Sequence, residues 1–227
     1  MTLLRISANV AANIDKQLMG TLGFSIDQLM ELAGLAVADA VYALKPPGPS
    51  ILVLSGPGNN GGDGLVASRH LSLLGFKPVI YYPKPSKGPL YDNLQTQLHA
   101  YQLPIIQSES ELTEAFSNAD FIVDALFGFS FKPPVRESFV PVMTLLAATK
   151  KPVLAVDIPS SWSVNDGPSP DFDYQPSSLI SLTAPKKSAD HFHGRHFIGG
   201  RFITPQFAKD FGFEVPPYEG TSQIYEE

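Results

Sequence analysis

The sequence contains no cysteine, and this absence excludes several kinds of chemistry. Without thiols the chain can form no disulfide, offers no thiolate nucleophile and supplies no thiolate ligand to a metal. Charge is also sparse, because 17% of the 227 residues are charged and the net charge is -6. A surface that follows nucleic-acid phosphates needs clustered lysine and arginine, so we expect no nucleic-acid partner.

Long hydrophobic runs are absent as well. No segment approaches the roughly 20 consecutive apolar residues that a membrane helix requires. The first seven residues lack the apolar stretch of a secretory signal, and Asp15 and Lys16 follow soon after. We therefore expect no membrane partner and a soluble cytoplasmic protein, with a mitochondrial location as the alternative.

The hydrophobic content, at 44%, is enough for one well-buried core. We predict a single domain over residues 1–227, with N-terminal helices in 1–45, a Rossmann-like core in 50–205 and a tail in 206–227. The clearest helix runs from Ile26 to Leu44, where Ser25 and Gln28 form a capping box and apolar residues recur every three or four positions. Such a wide apolar stripe is typical of a core helix or of a contact between subunits.

Short apolar runs then alternate with helical stretches, which is typical of a parallel sheet covered on both faces. We predict an α/β fold, a three-layer αβα Rossmann-like sandwich with a mostly parallel central sheet. Further edge strands are expected at 179–183 and 201–203, and a loosely held end from Val215. The predicted strands are 51–54, 78–82, 104–106, 120–126 and 153–156, and the predicted helices between them are 64–74, 92–101, 111–117 and 139–148.

A glycine-rich turn, Gly56-Pro57-Gly58-Asn59-Asn60-Gly61-Gly62-Asp63-Gly64, joins the first strand to its helix. Glycines there let the backbone approach a ligand, and free amides at a helix start attract an anion such as pyrophosphate. A dehydrogenase would place an acid about 20 positions further on to hold the ribose, but none occurs between Gly64 and Tyr91. A Walker loop fails too, because it needs lysine and a hydroxyl residue after Gly61. Asp63 is expected to cap the helix that begins at Gly64.

Two aspartates, Asp124 and Asp157, each follow an apolar strand run. Because ligands bind outside the carboxyl ends of parallel strands, both carboxylates should face the crevice that the glycine turn borders. The alternative is that each aspartate caps its own turn. A third group, His191, His193 and His196, suggests zinc, but the neighbouring Arg195 would repel a cation, so we expect an exposed polar loop there.

These motifs together resemble one family, the eukaryotic NAD(P)HX epimerases, which have the YjeF N-terminal domain fold and in vertebrates are also called apolipoprotein A-I-binding protein. The resemblance runs from about Ile14 through Tyr218. It is carried by the glycine turn with Leu65-Val66, by Asp124-Ala125-Leu126-Phe127-Gly128-Phe129-Ser130-Phe131, by Asp157-Ile158-Pro159-Ser160 and by Ser181-Leu182-Thr183-Ala184-Pro185-Lys186-Lys187.

The resemblance implies an isomerase that interconverts the R and S forms of hydrated NADH and NADPH for an NAD(P)HX dehydratase, and it implies a homodimer. It also implies one K⁺ per subunit, held by Asn60, Asp124 and Ser160. The chain departs from the family at Ser161, where glycine is usual; if that position needs a positive φ, serine strains the loop. The substrate contacts implied are Asn59, Asn60, Gly61, Gly62, Asp63, Gly128, Phe129, Ser130, Phe131, Lys132, Pro133, Pro134 and Asp157.

Inverting a hydroxyl-bearing carbon beside the ring nitrogen needs proton transfers, while the nitrogen lone pair assists either loss of the hydroxyl or ring opening. Our hypothesis is that Asp157 is the acid–base group. In the loop that follows Asp124, Phe129 and Phe131 either pack on the sheet or cover a planar ring, and Lys132 either meets a phosphate or is solvated. The rival reading is a non-catalytic nucleotide-binding or protein-interaction module of the same fold.

Overall fold

The computed structural model describes residues 3–227, which form one eight-stranded sheet in the order β3-β2-β1-β4-β5-β6-β7-β8. All neighbouring strands are parallel except the last pair, because β8 runs antiparallel to β7. The mostly parallel sheet is therefore confirmed. The strands are β1 (Ser50–Ser55), β2 (Lys77–Tyr81), β3 (Ile105–Ile106), β4 (Phe121–Ala125), β5 (Val153–Val156), β6 (Ser178–Leu182), β7 (Arg195–Gly199) and β8 (Tyr225–Glu226).

Helices cover both faces of this sheet, as the predicted sandwich requires. One apolar cluster joins α2, α3 and α4 to the sheet, and a second joins α5 and α6 to its other face. No helix within residues 3–227 has both the length and the apolar character needed to cross a bilayer. The helices are α1 (Ala8–Gly20), α2 (Ile26–Leu44), α3 (Asn59–Leu73), α4 (Pro89–Ala100), α5 (Glu109–Asn118), α6 (Val140–Ala148) and α7 (Pro205–Asp210).

Helix α2 has the bounds and the capping box that the sequence predicts: Gln28 N donates to Ser25 Oγ at 3.2 Å and Ser25 N donates to Gln28 Oε1 at 2.9 Å. Helix α3 differs, because it begins at Asn59 rather than at Gly64. The predicted cap by Asp63 is therefore wrong, since Asp63 lies inside the helix. Gly61 explains the early start: a Cβ there would lie 1.8 Å from Gly56 O, so only glycine lets the helix begin this close to β1.

The chain beyond β5 differs most from the prediction. The run predicted as an edge strand at 179–183 is β6, which lies between β5 and β7 inside the sheet. The strand predicted at 201–203 is wrong, because that segment is a turn and β7 precedes it. His196, expected in an exposed loop, is a buried residue of β7. The sequence did not predict this strand because it begins with two polar residues, Arg195 and His196, and its apolar residues begin only at Phe197.

The C-terminal segment is held in place, so the predicted loose end from Val215 is wrong. Strand β8 pairs with β7, and the terminal residue Glu227 anchors it. The carboxylate of Glu227 accepts a hydrogen bond from Arg5 Nη1 at 2.8 Å and lies 3.0 Å from His196 Nδ1. His196 Nε2 in turn lies 2.9 Å from Ser181 Oγ on β6. These contacts tie Arg5 and Glu227 to strands β6 and β7.

Candidate active site

A cavity of about 530 Å³ opens at the carboxyl ends of the parallel strands. Its floor comes from the segments that follow β1, β4, β5 and β6, and its remaining walls come from α1, α2 and the first turns of α3. Apolar side chains form much of the wall, among them Ile26, Leu29 and Met30 of α2. Parallel α/β sheets bind their ligands at this edge, so the cavity is the candidate site.

Most of the predicted substrate residues line this cavity, and three do not. Gly61 and Gly62 lie buried in α3, and Pro133 faces outward from its loop. A Cβ placed on Gly128 would lie 2.9 Å from Asn60 Oδ1 and 3.1 Å from Asp157 Oδ2, so these two side chains flank Gly128 and lie close together. The predicted residues that line the cavity are Asn59, Asn60, Asp63, Gly128, Phe129, Ser130, Phe131, Lys132, Pro134 and Asp157.

The start of α3 presents donors to the cavity. Gly58, at φ 104°, precedes the helix, and no side chain caps the amides of the first turn. These amides carry the positive end of the helix dipole, which binds anions. Within residues 3–227, the Nδ2 atom of Asn60 is buried without a hydrogen-bond partner. Buried donors are rarely left unpaired, so this amide is available to a ligand.

Asp157 and Lys186 form a buried ion pair at the cavity. Their side chains are 5% and 3% exposed, and the Lys186 ammonium donates to Asp157 Oδ1 and, at 2.6 Å, to Leu182 O. The second carboxylate oxygen of Asp157 accepts the Phe129 N–H at 2.8 Å. Asp157 has φ 71°, a left-handed conformation that costs on the order of 1 kcal/mol in an aspartate. The strained backbone and the two donors fix the direction of this carboxylate.

Asp63 brings a second carboxyl group to the cavity from α3. It is buried, and no hydrogen bond to its side chain is present within residues 3–227. Burial raises the pKa of Asp63 well above its usual value, and the negative charges of Asp157 and Asp15 raise it further. These effects favour the protonated form of Asp63, which can donate a hydrogen bond.

Asp124 does not line the cavity, which corrects the prediction that both strand-end aspartates face it. Its side chain is fully buried, and it accepts hydrogen bonds from Ser160 Oγ at 2.6 Å, Ser160 N at 3.0 Å and Tyr174 Oη at 2.9 Å. Leu126 N donates a weaker bond at 3.3 Å. Burial raises the pKa of Asp124, and these donors oppose that rise. Asp124 thus ties the loop after β5 to the end of β4.

The residues predicted to hold K⁺ are only partly joined by contacts. Asp124 and Ser160 are hydrogen-bonded, whereas Asn60 is next to Gly128. Carboxylate, hydroxyl and amide oxygens are the donors that a hard cation prefers. Because Asp124 already accepts four hydrogen bonds, an ion would have to replace one of them. The hydroxyl proton of Ser160 can rotate away, so the donor set fits K⁺ with that one exchange.

Ser161 has φ 76°, so the expectation that this position needs a positive φ is confirmed. The residue is buried, and its hydroxyl oxygen has no partner among residues 3–227. A serine here carries both the strain of a left-handed backbone and an unpaired polar atom.

The loop after β4 combines aromatic and cationic side chains. Phe131 stacks on Phe127 with ring centroids 4.8 Å apart, and Phe129 lies beneath the Lys186 ammonium at 5.8 Å. Both rings therefore pack against the protein while still lining the cavity. Lys132 is exposed at the cavity, as is Arg136, which the sequence did not single out.

Three charged residues that line the cavity were not predicted from the sequence as site residues: Asp15, Arg136 and Lys186. Lys186 follows β6 within a motif that the sequence did highlight, but nothing local distinguishes it from its exposed neighbour Lys187. Asp15 lies on α1, far along the chain from every other polar cavity residue. Only the packing of α1 beside the strand ends brings it to the site.

Comparisons with known proteins agree with this geometry. The family described as "YjeF-related protein N-terminus" matches residues 26–188. The NAD(P)H-hydrate epimerase of Fusarium vanettenii is 52% identical over 231 residues, covering 100% of this chain and 97% of that relative. The NAD(P)H-hydrate epimerase of Yarrowia lipolytica is 52% identical over 227 residues, covering 97% and 92%.

A solved structure has the same fold. The crystal structure of yeast YNL200c matches with a TM-score of 0.95 and 43% identity, over 99% of this chain and 100% of that one. Sequence motifs, sheet topology and full-length similarity all agree. The chain therefore belongs to the family of proteins related to the YjeF N-terminus.

Proposed function

We propose that this protein is an isomerase that interconverts the R and S epimers of hydrated NADH and NADPH, as an NAD(P)H-hydrate epimerase. The observation that carries the proposal is a single cavity that joins the uncapped start of α3 to the buried Asp157–Lys186 pair. The first feature suits the pyrophosphate of a dinucleotide, and the second suits proton transfer at its altered ring. Full-length relatives bearing that name support it.

The dinucleotide binds with its phosphates toward positive charge and its hydrated ring toward the carboxyl groups. The positive groups are the amides at the start of α3 and the side chains Lys132 and Arg136. The Asp157 carboxylate repels phosphates, so the end of the cavity that holds it receives the uncharged ring. Asn60 Nδ2, which has no hydrogen-bond partner among residues 3–227, donates a hydrogen bond to the dinucleotide.

Asp157 exchanges protons with the hydroxyl oxygen of the hydrated ring. Lys186 and Phe129 N hold its carboxylate in one orientation. The neutral carboxyl of Asp63 donates a hydrogen bond to the substrate, for which its raised pKa is suited.

A potassium ion held by Asn60, Asp124 and Ser160 is the second part of the proposal. It would supply positive charge beneath the pyrophosphate and would brace the loops after β4 and β5. Melting in KCl and in choline chloride at equal ionic strength tests this. We expect K⁺ to raise the melting temperature of the protein but not that of Asp124→Asn; an equal response of both variants, or none, contradicts the site.

The further partners we propose are an NAD(P)HX dehydratase, which consumes one epimer, and a second copy of this chain in a homodimer. We propose the cytoplasm as the location, with mitochondria as the alternative. The products of this site need a consuming enzyme, because an epimerisation alone leaves the cofactor hydrated.

The decisive experiment uses purified R-NADHX, the dehydratase that accepts only the S epimer, and this protein. We expect NADH absorbance at 340 nm to recover far faster than with the dehydratase alone. Asp157→Asn should reduce that rate by about 100-fold or more, since a positioned acid–base group contributes roughly 10²–10⁴ in rate. Binding of NADHX without turnover by the wild-type protein would favour the nucleotide-binding module instead.

A further inference from the structure

Four ionisable side chains meet at one end of the cavity, and the proposed chemistry uses only three of them. Asp63, Asp157 and Lys186 have roles above, whereas Asp15 has none. Asp15 lies on α1, outside the residues 26–188 that match the family description. It is half-buried, lines the cavity, and makes no side-chain hydrogen bond within residues 3–227.

Asp15 lies close enough to the ion pair for both of its charges to act on it. Burial raises the pKa of Asp15; the Lys186 ammonium lowers it, and the Asp157 carboxylate raises it. The charge of Asp15 also acts on Asp63. The groups near Asp15 are therefore the Lys186 ammonium and the carboxyl groups of Asp157 and Asp63. Three carboxyl groups beside one ammonium group favour keeping protons bound at this end of the cavity.

An epimerisation that loses and regains water uses acid–base groups on two sides of the reacting carbon. The hydroxyl leaves from one face and water adds to the opposite face, so a single carboxylate on one wall cannot serve both. Asp157 rises from the end of β5, and Asp15 projects from α1, which is a different wall. Asp15 is half-buried, whereas Asp63 and Asp157 are buried, so Asp15 is the most open of the three to proton exchange with solvent.

Resting on the proposed epimerase function, we infer that Asp15 is a second catalytic acid–base residue, which acts on the face of the hydrated ring opposite Asp157. The Asp15 carboxyl protonates the hydroxyl, the carbon–oxygen bond breaks, and water departs as the nitrogen lone pair forms a C=N bond. A water molecule then forms the new carbon–oxygen bond on the other face and gives its proton to the Asp157 carboxylate. Water in the cavity returns that proton to Asp15, and the reverse epimerisation exchanges the two roles.

The negative charge that Asp15 gains when it gives up its proton supports this sequence of steps. Loss of the hydroxyl leaves a positive charge shared by the ring nitrogen and carbon, and the carboxylates stabilise that cation in a cavity of low dielectric. A cavity with more ammonium than carboxylate would oppose it.

Four variants test the inference in the coupled assay with R-NADHX and dehydratase. We expect Asp15→Asn and Asp15→Ala to lower kcat by about 100-fold or more with a far smaller change in KM, and Asp15→Glu to retain more activity than either. The control is Lys16→Gln, an exposed neighbour on α1 that should keep wild-type kcat. Melting temperature and NADHX binding, measured on each variant, separate lost chemistry from lost folding.

Two measurements, rescue by formate and the pH–kcat profile, change in the expected way only if Asp15 transfers protons. Formate, a small carboxylic acid, should restore at least about 10-fold of the kcat of Asp15→Ala but not of Asp157→Asn, and Asp15→Asn should lose one limb of the pH–kcat profile. Near-normal kcat of a folded Asp15→Asn overturns the inference. So does a loss of kcat in Asp15→Ala that formate does not restore, if Asp15→Glu loses as much activity. A wild-type protein without epimerase activity would instead refute the proposed function.

Discussion

Lys186 and Asp157 lie on segments that follow neighbouring strands, and their side chains pair where both are almost completely buried. The pair has opposite consequences for folding and for catalysis. Each charge needs the other, because an isolated charge in a dry site is strongly destabilising. The same charges also make the site reactive, since Lys186 holds the Asp157 carboxylate in place at the cavity.

Replacing Lys186 with methionine should destabilise the protein by roughly 3–5 kcal/mol, because the Asp157 carboxylate is left buried without its cation. The double variant Lys186→Met/Asp157→Asn removes both charges and should regain much of that free energy of unfolding while staying inactive. Urea unfolding measures both. Lys187→Met, on the exposed neighbour, is the matched control and should change stability little. Equal destabilisation in the single and double variants would show that the ion pair is not the cause.

Replacing Ser161 with glycine should stabilise the protein by about 1 kcal/mol, because glycine tolerates a positive φ and removes an unpartnered buried hydroxyl. Thermal melting checks this. Ala115→Gly, within α5, is the opposite case: glycine in a helix interior should cost about 1 kcal/mol. A lower melting temperature for Ser161→Gly would mean that the serine makes a contact its burial does not reveal.

Local patterns predicted the parts of the fold whose stability is local. Helix α2 has a stop signal after it, a capping box before it and a regular apolar stripe, so its bounds agree with the prediction. Strand β5 is a bare apolar run and agrees equally well. The start of α3 was missed because glycines are poor helix formers, and only close packing against Gly56 explains their presence in a helix.

Contacts between residues distant in sequence determine the parts of the site that were not predicted. Asp15 and Lys186 reach the cavity only because α1 and the end of β6 fold beside it. Asp124 was expected at the cavity from its position after a strand, but Ser160 and Tyr174, distant in sequence, draw its carboxylate away. The position of a residue at a strand end predicts where its backbone lies, but the hydrogen-bond partners of its side chain determine the direction of that side chain.

His196 should make the stability of the protein depend on pH. Burial lowers the pKa of His196 from 6.5 to about 4, although the Glu227 carboxylate beside it opposes that shift. Between those two pH values the unfolded imidazole binds a proton that the folded one does not, so the free energy of unfolding falls as the pH is lowered from 6.5 to 4. The whole effect is roughly 3 kcal/mol.

Urea unfolding at several pH values between 4 and 7 should therefore give a shallower pH dependence for His196→Gln than for the wild-type chain. His193→Gln, on an exposed histidine, should keep the wild-type slope. Identical slopes for all three proteins would mean that His196 titrates normally in the folded state.

The oxygen atom of the substrate distinguishes the two routes to an inverted carbon. Loss of the hydroxyl as water, which the carboxylates of Asp15 and Asp157 favour by stabilising a cation, exchanges that oxygen with solvent. Ring opening instead breaks the carbon–nitrogen bond and keeps the oxygen. Epimerisation of R-NADHX in H₂¹⁸O, stopped early and analysed by mass spectrometry, should give S-NADHX carrying one ¹⁸O per molecule, above the label found without enzyme. Unlabelled S-NADHX would establish ring opening, and the acidic end of the cavity would then need a different purpose from stabilising positive charge.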